Sequence, residues 1–166
     1  MAPTKEPSSP AFSLQVDGIE GSCPAGEKWA TEKRLNKRIP VIACEGPCVR
    51  GDIARNAANR VAEEKPYARC CYQEVLGVPH SAMARWVRES RKVVMIDGCF
   101  LSCVGRILKH RVNGGKMIHI DALPLYRKYT DFFSLASVPE EKRKATGRQV
   151  GEKILSILEK NGIKAA

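Results

Sequence analysis

Seven cysteines, Cys23, Cys44, Cys48, Cys70, Cys71, Cys99 and Cys103, are the residues of this chain with the widest chemical reach. A thiolate binds soft metals, attacks electrophiles or oxidises reversibly. In a secreted chain such a set would imply a disulfide framework. Here the count is odd, and the opening stretch Met1–Phe12 lacks the apolar core of an export signal. The expectation is therefore a cytoplasmic protein in a reducing compartment, where clustered cysteines point to metal binding or thiol chemistry.

The spacing narrows the chemistry. Cys44 and Cys48 are four apart, as are Cys99 and Cys103. On a helix, residues i and i+4 share a face, so each pair read as entering a helix could turn two sulfurs toward one ion. A helix N-terminus also favours the thiolate form. Gly46 and Gly98 fall in the two turns concerned, where the backbone must approach closely or take positive φ.

The elements that position these residues follow from periodicity. Residues 1–38 read as an extension, opened by Pro3, Pro7, Pro10 and Ser8-Ser9, with a short helix over Glu27–Lys37. Residues 39–166 read as the cysteine-bearing domain. Strands are expected at Pro40–Ala43, Tyr67–Tyr72, Val93–Ile96 and Met117–Ile120. Helices are expected over Asp52–Glu64, from a cap at Ser81, over Phe100–Leu108 ending at Asn113-Gly-Gly115, and after a capping box Ser137-x-x-Glu140. Near-continuous apolar strands alternating with helices predict an α/β fold, a three-layer sandwich with a mostly parallel sheet of about four strands.

In such sheets ligands bind beyond the carboxyl ends of the strands. Cys44 follows the first expected strand, Cys70 and Cys71 end the second, and Cys99 follows the third. Asp97-Gly98-Cys99 with Cys103 resembles the DGC-domain family, grouped as zinc-binding proteins on their cysteines. The Cys44-Glu45-Gly46 turn and a cysteine after the second strand, Cys71 or Cys70, extend the resemblance over roughly residues 38–122. It implies a metal site of thiolates and says little of activity.

The leading expectation is a metal held by Cys44, Cys71, Cys99 and Cys103, with Cys48 as rival or extra ligand and Cys70 as the alternative to Cys71. Zn(II) suits four thiolates, with Arg50 and Arg106 close in sequence to offset their charge. An iron–sulfur cluster in electron or sulfur transfer is the alternative. A third reading is enzymatic: Cys44-x5-Arg50 has the spacing of the phosphate loop of cysteine phosphatases and arsenate reductases. Gly51 stands where that loop has a hydroxyl residue, and Asp121-Ala122 replaces an Asp-Pro acid. Vicinal Cys70-Cys71 would also suit thiol redox sensing.

The net charge of +10 is uneven: residues 81–120 carry eight Lys/Arg against two Asp/Glu. With ten aromatics in all, and none interleaved with these basic runs, nucleic acid is disfavoured. An unknown protein or a small anion is the expected partner, and no apolar run is long enough to span a membrane. His80, His110 and His119 are scattered, and Asp97 reads as a turn-stabilising cap. Gly46-x4-Gly51 is followed by Asp52, which argues against an ATP loop.

Overall fold

Four strands, β1 (Ile39–Ala43), β2 (Tyr67–Arg69), β3 (Val93–Asp97) and β4 (Met117–Asp121), pair in the order β2-β1-β3-β4 in the computed structural model, which describes residues 11–113 and 115–163. Every pairing is parallel. Neighbouring strands must therefore be joined by crossovers, and helices cover both faces of the sheet.

Alternation along the strands divides the core in two. Val41, Ala43, Val94, Ile96 and Ile120 point to one face, against α2 (Val49–Glu63) and α7 (Glu140–Lys160). Ile42, Ala68, Val93 and Met95 point to the other, with α1 (Pro24–Leu35), α3 (Tyr72–Gly77), α4 (Ala82–Glu89) and α5 (Cys103–Leu108) on that side. Each such side chain taken out of water contributes about 1.5–3 kcal/mol. The expected α/β sandwich is thus found, with an all-parallel sheet.

Helix α2 packs along α7 through small residues. A Cβ on Gly147 would come within 2.4 Å of Asn56 Cβ, and one on Gly151 within 2.6 Å of Arg60 Cβ. The two backbones approach as closely as they do because glycine is there. Opposite, α1 docks on α4: Ala30 is buried, Trp29 Nε1 donates to Arg69 O at 3.0 Å, and Ala82 N donates to Glu27 Oε1 at 2.7 Å.

Several boundaries differ from expectation, for local reasons. β2 stops at Arg69, and the next helix, α3, begins at Tyr72. The helix expected from Phe100 begins only at Cys103, because Ser102 adopts φ 47°, left-handed geometry that no helix continues. Phe100 and Leu101, read as part of its apolar stripe, are instead exposed. Ser137 ends a short 3-10 turn (Leu135–Ser137), and Pro139 takes the N-cap of α7, so the expected capping box is not made. A further short helix, α6 (Leu123–Tyr126), follows β4. Pro3, Pro7, Pro10, Ser8-Ser9 and Gly114 lie outside the described residues. No helix among the described residues is long and apolar enough to cross a membrane.

Candidate functional site

The carboxyl edge of the sheet is organised by two turns that touch. Cys44 leaves β1 with its N–H bonded to Ile96 O at 2.9 Å, which sets it beside Asp97 at the end of β3. The chain then turns at Gly46 and enters α2 with Cys48 at the N-cap, whose Sγ accepts from Gly51 N at 3.3 Å. A Cβ on Gly51 would lie 2.4 Å from Gly46 O, and one on Gly98 would lie 2.6 Å from Arg50 O. Backbone-to-backbone contact at both places admits only glycine: the first closes the loop after β1 on itself, and the second holds the first turn of α2 against the turn after β3.

That contact gathers some of the expected residues. Cys44 Sγ and Cys48 Sγ lie 3.7 and 4.0 Å from where a Cβ of Gly46 would stand, so the two thiols border one spot. Burial pushes the Cys44 thiol pKa up, Gly46 and Gly98 N–H groups pull it down, and Asp97 and Cys48 push it further up. Burial raises the Tyr126 phenol pKa strongly; Arg50 pulls it down, and Cys48, Asp121 and Cys99 push it further up. Tyr126 Oη and Arg50 Nε are buried without a hydrogen-bond partner among the described residues.

The remaining cysteines are more scattered. Cys71, exposed at the N-cap of α3, donates to Gln73 Oε1 at 3.3 Å, and Cys44 and Cys71 add to the burial that raises the Tyr72 phenol pKa. Cys70 is 3% exposed within the apolar cluster around Ile42 and Trp86, and burial holds its thiol well above the ordinary range. Cys103 is exposed at the start of α5, and Cys23 caps α1 by accepting from Gly26 N at 3.4 Å. All seven are free thiols. Neither four-residue pair lies on a helix: Cys44 belongs to a strand end and Cys99 to a turn, so helical stacking does not bring their sulfurs together. Among the described residues, no three His, Cys, Asp or Glu side chains stand close enough to form one metal-holding group.

Beside the thiols lies a pair that residue spacing did not reveal. Asp97, 1% exposed, accepts from Gly105 N at 3.1 Å and from His119 Nε2 at 2.7 Å through the same oxygen. Its other oxygen, Oδ1, is buried without a partner among the described residues. The carboxylate thereby caps α5, the turn-stabilising role expected of it. Alternation in β4 puts His119 two residues before Asp121 on one face, but only the register makes it a neighbour of Asp97. Tyr126 was missed for a similar reason: α6 carries no periodic pattern. His80 bonds to Gly21 O at 2.7 Å.

Two observations bear on the enzymatic reading. A thiolate nucleophile needs a depressed pKa, and burial moves Cys44 the other way. Asp121, in the place of the general acid, spends one carboxylate oxygen on Leu123 N at 3.0 Å.

The family profile of the DGC domain matches residues 40–145, from the start of β1 into α7, and takes in every cysteine except Cys23. No curated protein matches the chain, and no solved structure matches it.

Proposed function

The chain belongs to the DGC-domain family, and we propose that it binds a metal ion, Zn(II) before any other, through cysteine thiolates at the carboxyl edge of its sheet. Cys44, Cys48 and Cys99 are the inner donors, and Cys71 or Cys103 supplies the fourth from the rim. Cys70 is left out, because it is packed among apolar side chains on the sheet's interior. The observation that carries this reading is the glycine contact between the two turns, which fixes the loop bearing Cys44 and Cys48 against the turn bearing Cys99.

The donor chemistry fits. Thiolates are the ligands that closed Zn(II) sites use, and one of these, Cys48, caps the fifteen-residue α2, where the helix dipole favours negative charge. The thiols stand as separate groups rather than as an assembled shell, so coordination and local ordering would be one event, as they are in small metal domains. Four thiolates around a divalent ion leave two negative charges, and Arg50, whose Nε is buried without a partner among the described residues, offers compensation. Such an ion, when bound, would tie the ends of β1 and β3 together.

Anaerobic purification followed by metal analysis and a visible spectrum tests this. A colourless protein with roughly one zinc per chain, lost in Cys44→Ser and in Cys99→Ser but kept in Cys70→Ser, is the expected result. Iron with labile sulfide and broad visible absorption would replace zinc with a cluster. Metal retained in both Cys44→Ser and Cys99→Ser would overturn the ligand set.

A further inference from the structure

The opposite edge of the sheet, where the strands begin, holds a cavity of about 520 Å³ with a different chemistry. Its apolar floor is Ile39 at the start of β1, Pro66 just before β2 and Trp86 of α4. Its walls carry five cations, Arg34, Lys37, Arg38, Arg91 and Lys92, against the single carboxylate of Glu89. A strand of five residues separates this edge from the cysteines, about 16 Å at 3.3 Å per residue.

The protein itself neutralises little of this charge. Glu89 Oε2 takes Arg34 Nη1 at 2.9 Å, and no other ion pair reaches these five cations among the described residues. Arg38 is held in place by its backbone: its carbonyl accepts from Trp86 Nε1 at 2.8 Å, and its Nη2 donates to Tyr67 O. Yet Arg34 Nε and Arg38 Nε are both buried without an acceptor among the described residues. Lys37 adopts φ 52°, a conformation that glycine or asparagine takes at lower cost, with its N–H held by Arg34 O at 3.0 Å. Like charges brought together in this way repel one another, and two buried guanidinium donors point to an acceptor that the chain does not supply.

We propose that this cavity binds a small organic phosphate bearing more than one negative charge. Guanidinium forks match phosphate oxygens two at a time, which carboxylate-poor surroundings leave free to happen here. The cavity's size is that of a site for a small molecule. Its floor gives the organic part an apolar seat, and Trp86, 1% exposed, is too deeply set to be the open stacking platform that single-stranded nucleic acid uses. Arg38, Lys37 and Arg91 hold the phosphate, and Ile39 and Pro66 carry the remainder of the ligand.

Calorimetric titration of the full chain with inorganic pyrophosphate and with ADP, in metal-free buffer at low and at physiological ionic strength, tests the proposal. Both bind, ADP more tightly, and added salt weakens both. Lys37→Gln and Arg91→Gln, exposed positions whose replacement leaves the melting temperature unchanged, each weaken binding about tenfold; Lys128→Gln, on the far side, has no effect. The proposal fails if neither compound binds at low salt, or if both variants bind as the parent does. It fails equally if a single-stranded oligonucleotide binds more tightly than ADP and loses that binding in the same variants.

Discussion

His119 Nε2 lies 2.7 Å from Asp97 Oδ2, on the diagonal between two neighbouring strands. The register partner of His119 is Met95, and Asp97 stands two residues further along β3 on the same face. Because Gly105 N donates to the same carboxylate oxygen, one buried side chain ties β3, β4 and the first turn of α5 together. A Cβ at Gly105 would lie 2.4 Å from Asp97 Oδ2, so glycine is what lets that helix close on the pair.

Asp97→Ala leaves the Gly105 N–H buried without an acceptor and is expected to destabilise the protein by about 1–3 kcal/mol. Asp97→Asn keeps an acceptor and is expected to lose less. The urea midpoints of the two variants check the order, and an alanine variant as stable as the asparagine one would refute the capping account.

Glu74, 9% exposed, lies under α1 with Glu27 nearby; burial first, then Glu27, raises its carboxyl pKa, and a hydrogen bond with Ser81 opposes them. A carboxyl whose folded pKa is raised adds stability that is fully present below its unfolded value and is lost as pH rises through the folded value. Glu74→Gln removes that loss. Its melting temperature is expected to exceed the parent's at pH 7, with the gap closing below about pH 4, the unfolded glutamate range. A gap independent of pH would assign the effect to packing instead.

Gly147→Ala and Gly151→Ala place a methyl group against Asn56 Cβ and Arg60 Cβ at 2.4 and 2.6 Å. Alanine gains up to about 1 kcal/mol of helix propensity over glycine. Overpacking at a tight helix contact costs about 1–3 kcal/mol. The overlap wins, and each variant is expected to unfold at lower denaturant concentration. A stabilised variant would mean that α7 can move away from α2 freely.

Cys70→Ser places a hydroxyl in an apolar cluster and is expected to lose about 1–3 kcal/mol of stability with metal content unchanged. Cys71→Ser, at an exposed N-cap, is expected to leave apo-protein stability unchanged, and a drop in its metal content would name Cys71 rather than Cys103 as the fourth donor. Chemical denaturation of the apo proteins, paired with metal analysis, separates these neighbours.

Strands were the most legible part of this chain, because Val93–Ile96 and Pro40–Ala43 are apolar runs that only a sheet covered on both faces needs. The start of α5 was not. Phe100 and Leu101 have helical spacing with Val104 and Leu108, yet Ser102 breaks the backbone between them, and a single φ of this kind leaves no mark on periodicity. That break also removed the helical reason for pairing Cys99 with Cys103. The Asp97–His119 bond and the burial of the Tyr126 hydroxyl depend on strand register and on the path of a short connecting helix. Neither is written in spacing along the chain. Glycine marked the important turns correctly, although Gly51, the position most crowded by Gly46, read as a departure from a phosphatase pattern and as half of a glycine spacing that Asp52 spoils for an ATP loop.

The close seam between α2 and α7 has a consequence for the order in which this protein can be completed. Synthesis delivers all four strands and α2 before Val150, Ile154 and Leu158, which finish the cluster shared by Val41, Val94 and Ile96. Until those three residues clear the ribosome, the flank of α2 around Asn56, Ala57 and Arg60 faces water, and the nascent sheet has one incomplete roof. The stretch that matches the family profile stops at residue 145, before any of them. A nascent chain of that length would hold every cysteine and still lack the helix that completes the core over α2.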